Sequence, residues 1–239
     1  MLEIKNVSKK YKDKQALKPL SFKLGKGVYA LLGPNGAGKS TLMNIMTDNL
    51  KTDSGNVLWQ GQDLSKLGSD FRRILGYAPQ QQGLYEDMTL SYFLRYLATL
   101  KMIPKKSIDA EVKRVTAIVN LEDQLHRKLG TFSGGMKQRA LIAQAILGKP
   151  ELIILDEPTA GLDPKERVRI RNLCERLGKE ATVLVATHVV SDIETIAKEV
   201  LILKAGVVIA KESPINLINQ FAPEQGLEEV YLEIFGGEA

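Results

Sequence analysis

The spacing of apolar residues changes character along this chain. Residues 2–7 alternate apolar and polar positions, as a half-exposed strand does. Residues 21–24 alternate again. Gly25 and Gly27 then set off Val28-Tyr29-Ala30-Leu31-Leu32, a continuous apolar run that reads as a buried strand. Val57-Leu58-Trp59, between Gly55 and Gly61, and Ile74-Leu75-Gly76-Tyr77-Ala78, ending at Pro79-Gln80, read as further strands. From about residue 89 the period lengthens. Leu90, Phe93, Leu94, Leu97 and Leu100 recur at helical spacing, and Ile108, Val112, Val115, Ile118 and Val119 repeat it after Pro104. Strand-like runs return at residues 152–155, 182–186, 200–203 and 207–210. The pattern predicts an α/β fold with a small antiparallel β region near the N-terminus. A helical insertion over about residues 84–135 interrupts a core formed by about 1–83 and 136–239.

Composition narrows the classes. The 239 residues suit one large domain or two lobes around a shared core. No apolar run approaches the ~20 residues that a membrane-crossing helix needs. The start, Met1-Leu2-Glu3-Ile4-Lys5, lacks the basic and apolar regions of a signal peptide. The single cysteine, Cys174, excludes an internal disulfide and fits a reducing compartment; beside Leu173 and Leu177 it reads as packing. The net charge of +5 comes from scattered basic residues with few aromatics between them. No nucleic-acid partner is expected; a solvated surface facing anionic lipid fits better.

The candidate chemistry begins at Gly33-Pro34-Asn35-Gly36-Ala37-Gly38-Lys39-Ser40-Thr41, which satisfies G-x-x-x-x-G-K-[ST]. It follows the buried strand and opens a helix. Glycines there let backbone N–H groups turn inward onto phosphate oxygens. Lys39 is placed to neutralise the β- and γ-phosphates, and Ser40 to complete a Mg²⁺ shell. Leu152-Ile153-Ile154-Leu155-Asp156-Glu157 is an apolar run ending in two carboxylates, as a buried parallel strand ends. Ligands in such sheets bind at the carboxyl ends of strands. Asp156 is then positioned toward Mg²⁺, and Glu157 toward an attacking water as general base. Ser133-Gly134-Gly135 precedes a helical apolar face. By spacing alone it is either a capped helix start or an anion site.

These three motifs, in this order, resemble the nucleotide-binding subunit of ATP-binding cassette (ABC) transporters over nearly the whole chain. The resemblance implies a P-loop ATPase core, ATP and Mg²⁺ as cofactors, and ATP hydrolysis. It carries further residues. Tyr11 resembles the aromatic that stacks on adenine. Gln80, the residue after Pro79, resembles the Q-loop glutamine near Mg²⁺ and the attacking water; Gln81 and Gln82 follow it. Gly161-Leu162-Asp163 resembles the D-loop, and Asp163-Pro164-Lys165-Glu166 also reads as an N-cap with Pro and Glu behind it. His188 resembles the switch histidine on the γ-phosphate.

The resemblance also implies partners. One P-loop and one signature per chain imply that two chains sandwich two ATP molecules, as a homodimer or with a sister ATPase. Ser133, Gly134 and Gly135 then serve the ATP of the other chain. A separate transmembrane permease subunit is expected to dock near Gln80, where Leu84, Tyr85 and Phe93 lie close. The chain would act in the cytoplasm, peripheral on that face of the membrane. Phe132 and Met136 stand where the family's signature usually has Leu and Gln, while the Ser-Gly-Gly core is intact. Met136-Lys137-Gln138-Arg139 and Leu227-Glu228-Glu229-Val230-Tyr231-Leu232 are similar to bacterial exporters of drugs, antibiotics, peptides or sodium. The rivals are a soluble cassette ATPase outside transport and a P-loop kinase or GTPase switch. The second leaves Ser133-Gly134-Gly135 unexplained, and no Asn-Lys-x-Asp motif is present.

Overall fold

Alternate residues of the same strands feed two separate cores, and this builds the molecule in layers. The computed structural model describes residues 1–80, 84–223 and 225–236. Its strands are β1 (Leu2–Tyr11), β2 (Lys14–Leu24), β3 (Gly27–Leu32), β4 (Ser54–Trp59), β5 (Gln62–Asp63), β6 (Leu75–Ala78), β7 (Leu152–Asp156), β8 (Thr182–Ala186), β9 (Glu199–Lys204) and β10 (Val207–Glu212). Its helices are α1 (Lys39–Met46), α2 (Leu64–Leu67), α3 (Ser69–Ile74), α4 (Leu90–Leu100), α5 (Ile108–Ile118), α6 (Gly134–Ala145), α7 (Pro164–Gly178), α8 (Pro214–Phe221) and α9 (Leu227–Phe235).

The larger sheet runs β10-β9-β3-β8-β7-β6. All of its pairings are parallel except β10 with β9. Tyr29, Leu31, Ile154, Leu184 and Leu201 face α1 and the N-terminal sheet. Ala30, Leu32, Leu155, Val185 and Ile202 face the helices on the other side. Burial on both faces is why β3, β7 and β8 read as continuous apolar runs.

The smaller sheet, β2-β1-β4-β5, is antiparallel. Leu2, Ile4 and Val7 of β1 are buried in the core and Lys5 is exposed, while Glu3, on the other face, is covered by its ion pairs with Lys5 and Lys23. A bulge between Ile4 and Val7 accommodates Asn6 at φ 48. The predicted antiparallel region is therefore present, and β2 extends seven residues earlier than the alternation at 21–24 indicates.

Helix α4 turns Leu90, Phe93, Leu94 and Ala98 inward. Two expectations change here. Leu100, at helical spacing with these residues, is 61% exposed at the end of the helix. Phe93, expected near a docking surface, is 1% exposed and belongs to the core. Tyr85, 51% exposed, covers it with ring centroids 6.3 Å apart.

Polar ties fasten the helices to the large sheet. Lys101 donates to the carbonyls of Leu75 and Leu147, each at 2.9 Å. Burial pulls its ammonium pKa down to about 8, partly opposed by Glu111. Gln144 on α6 donates to the Tyr77 carbonyl at 2.7 Å. Cys174 is buried in α7, and burial pushes its thiol up to about 12, so it packs as an inert apolar group. Among the described residues, no helix is long and apolar enough to cross a membrane.

Candidate nucleotide site

The P-loop begins at the carboxyl end of β3 and ends in the first turn of α1. Gly36 and Gly38 have φ values of 82 and 109, a region glycine enters without a Cβ penalty. At Gly38 the space is closed too: a Cβ would lie 2.8 Å from the Ala16 carbonyl oxygen. No side chain caps α1, so the N–H groups of its first turn face the loop's concavity. Lys39 is buried, and its Nζ donates to the Gly33 carbonyl at 2.5 Å and the Pro34 carbonyl at 3.3 Å. Burial lowers its pKa, while Glu157 and Asp156 oppose that shift.

The carboxylates stand one strand away. Asp156 closes β7, and burial followed by the charge of Glu157 raises its pKa; Lys39 and the Gln80 backbone N–H act the other way. Glu157 adopts φ 49, a strained conformation for a residue with a side chain. Its own N–H donates to the Ala186 carbonyl at 2.8 Å, fixing the turn to β8. One carboxylate oxygen accepts from Thr187 Oγ1 at 3.2 Å. The other meets His188 Nδ1 at 2.9 Å. A carboxylate without its proton can only accept, and toward such a partner the imidazole donates from Nδ1.

The parallel order β3-β8-β7-β6 puts the P-loop, His188, the Asp156–Glu157 pair and Gln80 at one edge of the sheet. Together they line an open cavity of about 600 Å³. Asn35, Gly36, Gly38, Ser40 and Thr41 are in its wall, as is Tyr11, 46% exposed at the end of β1. Gly33 and Ala37 are buried behind the wall and support the loop. Gln81 and Gln82 lie outside the described residues.

Ser133, Gly134, Gly135 and Asp163 are not in that wall. Ser133 caps α6, accepting from the Met136 N–H at 3.3 Å, and both Ser133 and Gly134 are exposed. Asp163 caps α7, accepting from the Glu166 N–H at 3.0 Å. Glu166 does not reach back to complete a capping box. Its carboxylate pairs with Arg139 of α6 at 3.2 Å and with Arg169. Gly135 lets this carboxylate approach; a Cβ there would lie 2.7 Å from Glu166 Cγ. The helix starts bearing Ser133 and Asp163 are thus joined into one surface.

Four residues of the cavity wall are not among the site residues expected from the sequence: Lys14, Ala16, Pro34 and Tyr231. Pro34 lies inside the P-loop pattern itself. Lys14 and Ala16 arrive through the β1–β2 hairpin and Tyr231 through α9, placements that only tertiary packing creates.

Residues 17–160 match the sequence profile of the family described as ABC transporter. The chain belongs to the ABC transporter family. It is an ATP-binding subunit of that family, and its reaction is ATP hydrolysis. It is similar to the uncharacterized ABC transporter ATP-binding protein YxlF of Bacillus subtilis, 38% identical over 86% of this chain and 68% of that protein. The linearmycin resistance ATP-binding protein LnrL of the same organism is 32% identical over 97% and 78%. The Nod factor export ATP-binding protein I of Burkholderia lata is 33% identical over 98% and 76%. Among solved structures, an ATP-binding subunit of an ABC transporter superposes with a TM-score of 0.86 at 31% identity, covering 98% of this chain and 99% of that one. A dimeric bacterial ABC transporter cassette gives a TM-score of 0.80 at 28% identity, over 89% and 98%.

Proposed function

We propose that this ABC subunit hydrolyses ATP in two sites shared between paired ATPase chains and thereby drives export through separate transmembrane subunits. The observation that carries this reading is the division of the motifs. Lys39, Ser40, Gln80, Asp156, Glu157 and His188 line one cavity, while Ser133 and Gly134 lie exposed outside it. A cavity open to solvent, with a second capped helix start exposed elsewhere, supports closure by another chain.

In this reading Tyr11 stacks on adenine, and the P-loop amides with Lys39 hold the phosphates. Glu157 takes a proton from the attacking water. Thr187 and His188 hold that carboxylate in place, and His188 Nε2 is left for the terminal phosphate. Asp163 lies beside the partner's site, and Ser133-Gly134-Gly135 supplies backbone N–H groups to the partner's ATP.

The donor set fits Mg²⁺. The Ser40 hydroxyl, the Gln80 amide oxygen and the Asp156 carboxylate are hard oxygen ligands in one wall. Mg²⁺ sites commonly use one or two carboxylates and complete the shell with phosphate and water. Burial first, and the charge of Glu157 second, raise the pKa of Asp156; a cation bound there would favour its ionised form. Ser40, Gln80 and Asp156 would hold the ion, whose chemistry is to neutralise charge developing on the phosphates.

The helical lobe, about residues 84–135, would carry the membrane-subunit contact. Tyr85, Tyr92 and Tyr96 are 51%, 60% and 41% exposed there, and exposed aromatics are frequent interface anchors. Export is favoured by the named role of the Nod factor export relatives. Such a subunit would work at the cytoplasmic face of the membrane. Pairing with an identical chain is the simplest arrangement; pairing with a sister ATPase keeps the same shared sites.

The Glu157→Gln chain tests the reading. The amide preserves shape but cannot take a proton, so hydrolysis should fall at least ~100-fold while ATP binding persists. ATP should then trap a dimer visible by size-exclusion chromatography. Near-normal turnover removes Glu157 from the base role, and a strictly monomeric, ATP-bound chain contradicts the shared site.

A further inference from the structure

The C-terminal helix α9 belongs to none of the nucleotide motifs, yet its Tyr231 stands in the wall of the nucleotide cavity. Packing brings it there. Leu227, Val230 and Phe235 enter the core together with Val190 and Ile193, and α9 lies against the 3₁₀ turn Val190–Asp192. That turn begins two residues after His188, so α9 rests on the segment that carries the histidine.

The aromatic ring is held in place. It packs on Phe235 with centroids 4.6 Å apart at 48°, and Lys204 Nζ sits 5.6 Å over the Phe235 ring. The start of α9 is fixed as well. The Gly226 N–H donates to Glu229 at 3.0 Å and the Leu227 N–H to Glu194 at 3.3 Å.

Tyr231 lines the cavity on the side where α9 packs against Val190–Asp192, the segment that follows His188. Burial raises the pKa of its phenol, and the negative charge of Glu157 raises it further. Tyr231 is thereby kept as a neutral O–H donor throughout the neutral range. Such a donor suits a phosphate oxygen beside two carboxylates, because it brings a hydrogen bond without another charge.

We propose that Tyr231 is a substrate-binding residue whose O–H donates to an oxygen of the terminal phosphate, so that the C-terminal helix distinguishes ATP from ADP. This rests on the reading of the cavity as the ATP site with Glu157 at its phosphate end. It adds a residue from outside the motifs, and it links α9 to the nucleotide and to the His188 segment in one step.

The test uses the full chain carrying Glu157→Gln, so that ATP persists, with and without Tyr231→Phe. Binding of ATP and of ADP is measured by isothermal titration calorimetry. Phenylalanine keeps the ring on Phe235 and removes only the hydroxyl. Loss of one hydrogen bond to a charged group should weaken ATP about tenfold and change ADP by less than about twofold. Unchanged ATP affinity overturns the proposal. An equal loss for ATP and ADP overturns it too, since that pattern marks a structural role for the residue. Failure of the Glu157→Gln chain itself to bind ATP overturns the reading of the cavity and this inference with it. If ATP binds that chain and the Phe change leaves it untouched, the cavity reading stands and only the role of Tyr231 is lost.

Discussion

His188 Nδ1 lies 2.9 Å from Glu157 Oε1, although the two residues leave different strands. The parallel pairing of β7 with β8 brings Asp156 opposite Ala186 and so puts both chain exits side by side. Thr187 binds the second carboxylate oxygen. Glu157 is therefore held from two directions, while its strained backbone turns it into the cavity.

Removing the imidazole should consequently misplace the base more than it weakens nucleotide binding. His188→Ala is expected to lower kcat at least about tenfold, within the range that general acid–base groups contribute. KM for ATP should change much less. Steady-state phosphate release as a function of ATP concentration separates the two. A raised KM with normal kcat would place His188 in binding alone.

Phe93 and Tyr85 touch each other yet should behave as opposites. Phe93 is 1% exposed in the core, so Phe93→Ala should cost about 3–5 kcal/mol of stability, read by denaturant unfolding. Tyr85→Ala, on the exposed side, should cost far less. Combined with Tyr92→Ala and Tyr96→Ala, it should abolish coupling to the membrane subunit while the isolated chain keeps its ATPase activity. Transport that survives the triple change would move the docking surface elsewhere.

Lys101 gives the fold a pH dependence of known sign. Its folded pKa is about 8 against an ordinary 10.5, so the unfolded chain binds the extra proton between those values. Its contribution to stability is complete above about 10.5 and is lost as pH falls through about 8. Wild type should therefore gain stability relative to Lys101→Met as pH rises through this window, by at most about 3 kcal/mol. Melting curves at pH 7 and pH 9.5 check it; parallel behaviour of the two proteins contradicts it.

The α/β class was legible because the central strands are buried on both faces and so read as unbroken apolar runs between helical patterns. Gly33–Lys39 announced its strand-to-helix junction for a local reason: the turn requires glycine at Gly36 and Gly38. The exposure of Leu100 and the burial of Phe93 were not legible, because both fit the same helical stripe. Only the end of α4 and the position of Tyr85 separate them. Tyr231 lies in a segment that carries a family resemblance, but nothing local places it in the cavity. Its place depends on α9 folding back onto Val190, some 40 residues earlier in the chain. The left-handed turn at Glu157 was equally hidden, since glutamate gives no hint of a positive φ.

The central claim is that each ATP site is shared between two chains, and a mixing experiment tests it most directly. Lys39→Ala removes the buried phosphate-binding charge, and Ser133→Arg fills the exposed helix start with a long side chain. Each variant alone should be inactive, because every site loses one half. Mixed under conditions that allow subunit exchange, half the dimers carry one intact site and one doubly broken site. Activity should recover to at most about a quarter of wild type, and ATP should trap mixed dimers even if the two sites turn over only together. No recovery of turnover and no ATP-dependent mixed dimer would contradict a site shared between two copies of this chain.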